Sequence, residues 1–183
     1  MARLNKTRYA LLGILANRSM NAYEIKKSIE QSIGFFWQES FGQIYPILKQ
    51  LEKEECLKSY KTRKGSGAET TVYKITSNGK KELKEWLERP VEKTPYRNEL
   101  LLKLFFGNHV SKEVLMRHLQ NTKEEVTRLM EIYENIRQVV ETSEVPEINR
   151  TLGLVTLDFG ITSVKNFLVW TEESQEKIKR SDF

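Results

Sequence analysis

The chain has 183 residues, with 30 Lys and Arg against 25 Asp and Glu and a single cysteine. That length holds one large or two small domains with real cores, and one cysteine excludes a disulfide framework or a cysteine-rich zinc site. Residues 1–90 carry 17 basic and 10 acidic side chains, residues 91–183 carry 13 and 15, so a polyanionic partner fits the first half and not the second.

The first helix is expected over Lys6 to Ala16, with Tyr9, Leu11, Leu12, Leu15 and Ala16 as its apolar set. The run Tyr9 to Ala16 is too short for a signal peptide and no small-residue cleavage site follows. No run approaches the ~20 apolar residues of a membrane span. The expectation is a soluble, cytoplasmic protein without a membrane partner.

Asn21, with Glu24 three residues on, suits the N-cap of a second helix running to Ser32. Phe35, Phe36, Trp37 and Phe41 then crowd a short connection. Packing on the core is the expected role of these rings, exposure to an effector or partner the other reading. The next helix begins at Gly42 or later, a start that lets it bear Pro46, which lacks a backbone donor, near its N-terminus with room for a bend. Ile44, Ile47, Leu48 and Leu51 lie at i, i+3, i+4 and i+7 on one face. Gln43, Tyr45, Lys49 and Gln50 lie on the other, with chemistry suited to base edges and phosphates.

Leu57 to Arg63 and Glu69 to Ile75 form the arms of a hairpin rich in β-branched and aromatic residues. Its tip is Lys64-Gly65-Ser66-Gly67. Lys58, Lys61, Arg63 and Lys64 form a basic run that meets no acid until Glu69. A helix followed by a basic-tipped hairpin is the order of a winged helix-turn-helix, in which the helix enters the major groove and the wing reaches backbone or minor groove. Lys61, Arg63 and Lys64 are the expected phosphate contacts. A helix capped by Thr76 or Ser77 closes this domain, residues 1–90.

A linker, 91–96, leads to a helical domain, 97–183. A short, very apolar helix spans Asn98 to Phe106, and a long one follows the Ser111 cap to about Thr142. The last, from Pro146 to about Lys179, is apolar around most of its circumference and must be buried on most sides. A second copy of the chain is the simplest cover, with Leu152, Val155, Phe159 and Ile161 at the expected dimer interface. Gly153 and Gly160, seven apart, would permit close helix approach. The fold class is thus mainly α with a small β-hairpin wing: an N-terminal winged helix-turn-helix and a C-terminal helical dimerisation domain.

The stretches TRYALLGILANRSMNAYEI, GQIYPILKQLEKEE and VYKITSNGKKELKEW resemble the PadR family of bacterial transcriptional regulators. NELLLKLFFGNHVSKEVL and the long helices look like the larger C-terminal domain of its phenolic-acid-regulator branch. The resemblance implies a homodimeric repressor that binds an inverted-repeat operator on double-stranded DNA and is released by a small aromatic or amphipathic effector. Tyr96, Phe105, Phe106 and Trp170 would then supply aromatic walls, and Arg97 a partner for a carboxylate. One departure is Glu55-Cys56, where the family has Gly-Leu; glycine there would end the helix in a left-handed cap.

Enzyme chemistry finds little support. His109 and His118 share no zinc or nucleophile spacing, and no phosphate-cradling glycine motif follows a strand. No catalytic residue, metal or cofactor is expected. Asp158, among apolar neighbours, is either a solvated polar spot or a buried acid at a ligand pocket. A competing reading is a protein-interaction module whose basic hairpin binds an acidic partner; sequence-specific retention of duplex DNA separates the two.

Overall fold

The computed structural model describes residues 6–63, 69–93 and 96–182. The chain forms two compact units that meet in sequence at Lys93 and Thr94.

The first unit runs α1 (Thr7–Asn17), β1 (Met20–Asn21), α2 (Ala22–Ser32), α3 (Phe41–Lys53), β2 (Leu57–Thr62), β3 (Thr70–Ile75) and α4 (Ser77–Leu87). The strands form an antiparallel sheet in the order β1-β3-β2. Leu11, Leu12 and Leu15 of α1, Ile25 and Ile29 of α2, and Ile44, Leu48 and Leu51 of α3 meet Leu57, Tyr73 and Ile75 of the sheet in one core. Each such side chain contributes roughly 1.5–3 kcal/mol on burial. β1 is two residues long and has no periodicity to reveal it; pairing with β3 defines it.

Local chemistry sets the helix ends. In α2 the Glu24 N–H donates to Asn21 Oδ1 and the Asn21 N–H to Glu24 Oε2, each at 2.9 Å. At the start of α3, Gln43 Oε1 accepts from the Ser40 N–H (2.9 Å) and the Ser40 hydroxyl (2.8 Å). This fixes the start at Phe41, one residue before the expected one, and α3 continues through Pro46.

The end of α3 is a Schellman turn. The Cys56 N–H donates to Leu51 O (2.9 Å) and the Glu55 N–H to Glu52 O (3.0 Å), the two bonds of that motif. Glu55 takes the left-handed conformation, φ 57°. A glutamate therefore makes the turn that glycine makes without steric cost. The next helix is tied to this turn: Thr76 Oγ1 accepts from the Gly79 N–H (3.1 Å) and donates to Glu55 O (2.7 Å). A Cβ on Gly79 would lie 2.3 Å from Cys56 O, so only glycine lets α4 approach the turn this closely.

The second unit holds α5 (Glu99–Phe105), a 3-10 turn (Gly107–His109), α6 (Lys112–Thr142) and α7 (Glu147–Arg180). α6 and α7 pair antiparallel. Lys112 Nζ donates to Ser181 O (2.5 Å) at one end, Lys123 pairs with Glu172 (2.8 Å) farther along, and Arg150 Nη2 donates to Ser143 O (2.8 Å) at the other. Leu115, Leu119 and Tyr133 are buried, as are Leu157, Ile161 and Val164. A Cβ on Gly160 would lie 2.9 Å from the Tyr133 ring, whereas one on Gly153 would make ordinary contact with Val140 at 3.5 Å. Only Gly160 supports the close approach expected of both.

Three expectations change. Phe35, Phe36, Trp37 and Phe41 do not enter the core; Phe36 and Phe41 are exposed and the other two half-buried. The expectations that no run approaches a membrane span and that α7 is buried on most sides change together. α7 contains an 18-residue window of mean hydropathy 1.3, long and apolar enough by those measures to cross a membrane, yet only 22% of that window is buried. Asp158 is solvated and paired with Arg137, as the first of its two readings had it.

Candidate nucleic-acid interface

The buried face of α3 leaves Phe41, Tyr45 and Lys49 exposed at four-residue steps along the opposite side. Such steps align side chains on a helix surface. Tyr45 is 53% exposed, and Lys49 Nζ lies 5.9 Å from its ring centre and 3.5 Å from Glu52 Oε2. The other Glu52 oxygen accepts a hydrogen bond from the Ser59 hydroxyl of β2. This chain, Ser59 to Glu52 to Lys49, links the first strand of the hairpin to the exposed face of the helix. Beneath it the Tyr73 hydroxyl is buried without a hydrogen-bond partner among the described residues. Burial raises the Tyr73 phenol above its ordinary range against the opposing charge of Lys49.

Gln43 is exposed, but its carbonyl oxygen is held by Ser40. Only its amino end remains to meet a base. Gln50 is similarly engaged, donating to Glu54 Oε1 at 2.8 Å.

In the hairpin, Lys61 pairs with Glu69 at 2.7 Å across the two arms, which partly neutralises an expected phosphate contact. Arg63 is exposed. Lys64 and the tip glycines lie outside the described residues. The register adds a feature that sequence reading missed: Lys58 faces Lys74 directly and Tyr60 faces Val72. Lys58, Lys74 and Tyr60 are exposed. Directly opposed like charges are unfavourable in a ladder, and neither lysine has an ion-pair partner among the described residues. A phosphate between them would relieve that repulsion. The available signal was strand alternation, which puts Lys58 and Tyr60 on one side.

Behind the helix, Arg8 Nη2 donates to Glu54 Oε2 (2.5 Å) and Glu82 Oε2 (2.9 Å), and the Cys56 thiol donates to Glu82 Oε2 (3.0 Å). Donor atoms of Glu54, Cys56 and Glu82 all lie within 4.8 Å of one another. Burial, then the Glu82 carboxylate, push the Cys56 thiol up to about 11. It is thus a protonated donor near neutrality, and the guanidinium satisfies both carboxylates. The cluster clamps α1 and α4 to the end of α3.

In the second unit, Leu152, Val155 and Phe159 are exposed, Phe159 by 76%, while Ile161 is only 7% exposed and packs inside the unit. Ile161 therefore leaves the expected interface set. Of the expected effector residues, Tyr96 and Arg97 are exposed and Phe105 is 81% exposed. Phe105 packs edge-on to Phe106 at 5.0 Å, and Trp170 contacts Phe167 at 5.3 Å.

An exposed helix on a three-helix core, followed by a hairpin with basic arms, defines the first unit as a winged helix-turn-helix DNA-binding domain. Residues 11–85 match the transcriptional regulator PadR-like family, and residues 96–179 match the virulence activator alpha C-terminal family. The chain is 29% identical over 173 residues to the negative transcriptional regulator PadR of Bacillus subtilis, covering 90% of this chain and 93% of that one. The structure of Bacillus subtilis PadR in complex with operator DNA matches with a TM-score of 0.80 at 26% identity, covering 94% of this chain and 98% of that one. The same protein in complex with p-coumaric acid matches with a TM-score of 0.74 at 24% identity, covering 99% and 100%. The chain belongs to the PadR-like family of transcriptional regulators, a non-enzymatic family.

Proposed function

We propose that this regulator is a homodimeric repressor in the cytoplasm, that it binds an inverted-repeat operator, and that a small molecule releases it. The exposed Tyr45–Lys49 face of α3 carries the reading. It sits opposite a fully buried face and beside a basic hairpin, so α3 is held rigidly enough to enter a groove. Gln43, Tyr45 and Lys49 meet base edges and flanking phosphates, while Lys61, Arg63 and Lys64 meet the backbone, joined by Lys58 and Lys74. The repressor role is supported by the relative named as a negative regulator, and effector control by that protein's complex with p-coumaric acid.

The dimer is supported by Ile148, Leu152, Val155 and Phe159 of α7, all exposed at i, i+4, i+7 and i+11. Leu101, Leu102, Phe105 and Phe106 at α5 are exposed too. Apolar surface in this quantity marks a protein interface.

Selection of bound sequences from random duplex DNA tests the reading. The expected product is a palindrome whose half-sites are centred about 10 bp apart, or a multiple of that. Recovery of no preferred sequence would overturn it.

A further inference from the structure

We propose that Glu52 is a specificity-determining residue for operator binding. Anchored by the Ser59 hydroxyl of β2, its carboxylate positions the Lys49 ammonium for the O6 and N7 acceptors of a guanine in the major groove, and it disfavours duplexes that offer only phosphates. The proposal rests on the reading that the exposed face of α3 meets base edges. It deepens that reading by naming the base and the residue that sets the choice.

Glu52 lies at the seam between α3 and the hairpin. One carboxylate oxygen accepts from the Ser59 hydroxyl, and the other lies 3.5 Å from Lys49 Nζ. Ser59 is the direct cross-strand partner of Tyr73, whose side chain is part of the core. The anchor therefore sits at a sheet position that packing already fixes. The Tyr45 ring, its centre 5.9 Å from Lys49 Nζ, restrains the ammonium from a second side. A lysine gives up much of its rotamer freedom when it binds, and one restrained before binding gives up less. An ammonium has three donors. With one turned to Glu52, two remain for the paired acceptors that guanine alone presents in the major groove.

Stability does not account for an acid at this place. Lys49 and Glu52 are spaced i, i+3 and both are partly exposed, and such pairs add little to a fold. A carboxylate beside a DNA-facing lysine also weakens phosphate contact, because it offsets the lysine's charge and repels the backbone. Non-specific binding is carried almost wholly by phosphates, so it bears that loss in full. A duplex with a guanine at the right step regains affinity through the base. Specificity is a difference of affinities, and an element that repels the wrong partner widens it.

The test uses the full chain and the duplex recovered by selection from random DNA. 7-Deazaguanine, which lacks the N7 acceptor, replaces each half-site guanine in turn, and affinity is read by fluorescence anisotropy at fixed salt. For the wild type, one guanine in each half-site should lose about tenfold on this replacement. For Lys49→Met and for Glu52→Gln that loss should shrink to about twofold or less, and adding Glu52→Gln to Lys49→Met should change it no further. Glu52→Gln should also bind random-sequence duplex about three- to tenfold more tightly. Ser59→Ala, which removes only the anchor, should show the same loss of guanine discrimination with the fold intact by circular dichroism, and it carries the test if Glu52→Gln does not fold. A Glu52 that is merely structural would weaken all duplexes alike and leave the deazaguanine pattern as it was, which overturns the proposal. A preferred duplex in which no guanine responds overturns it too, and leaves α3 as the reader. Recovery of no preferred duplex overturns the reading itself and this proposal with it.

Discussion

At the scale of single residues, the turn after α3 shows how a chain keeps a geometry with an unfavoured residue. Glu55 adopts φ 57°, at a cost of roughly 1–2 kcal/mol for a residue with a Cβ. Glu55→Gly should therefore raise stability by about 1 kcal/mol, less whatever glycine adds to unfolded-chain entropy. Urea unfolding with an unchanged m value checks it; a lower midpoint would mean that the Glu55 side chain contributes more than its backbone costs. Gly79 is the reverse case. With Cys56 O only 2.3 Å from its Cβ position, Gly79→Ala should destabilise by about 1–3 kcal/mol through overpacking. Glu54 sets a pH dependence. The Gln50 amide, then Arg8, hold its carboxyl below the usual range against burial. A depressed carboxyl stabilises above its unfolded value and loses that contribution as pH falls through the folded one. Glu54→Gln should thus cost stability at neutral pH and progressively less below about pH 4, as denaturation at both pH values would show.

At the scale of elements, α3 was legible because a helix face is a local property. The i, i+3, i+4, i+7 set marked the buried side, and the opposite side followed by elimination. The bond of Gln43 to Ser40 was not legible as a limit on Gln43, since a capping residue and a base reader look alike in sequence. Tyr45→Ala should cost about 1–3 kcal/mol of operator affinity with the fold intact, measured by gel shift against circular dichroism. An unchanged footprint would remove α3 as the reader. The hairpin was legible as two arms, but the Lys58–Lys74 opposition needed the register. Arg63→Ala should lower affinity for all duplexes alike and reduce the salt slope by about one; an unaltered slope would detach Arg63 from the phosphates.

At the scale of the whole molecule, the exposed apolar stripe of α7 is the surface that the proposed dimer would cover. One stripe, Leu157, Ile161 and Val164, is buried within the unit, whereas Leu152, Val155 and Phe159 remain exposed. Replacing Val155 and Phe159 together with Glu should give monomers, or insoluble protein, and abolish operator binding. Sedimentation at micromolar concentration decides it, and a soluble wild-type monomer or an intact double-variant dimer would sink the proposal.

The sequence by itself determined the order and type of the main elements, the buried face of α3 and the basic hairpin, because periodicity, capping and turn chemistry act over a few residues. It also carried the family resemblance, since the same stretches build the same first unit. Tertiary structure decided what depends on distant groups meeting. Ile161 and Phe159 are two residues apart in an all-round apolar helix, and only packing against α6 shows that one is covered and the other is not. Phe36 and Trp37 looked like core rings, and only the fold shows that one is exposed and the other half-buried. β1 exists only through its pairing with β3. Cys56, one residue in sequence, becomes part of a clamp because α1 and α4 bring Arg8 and Glu82 to it.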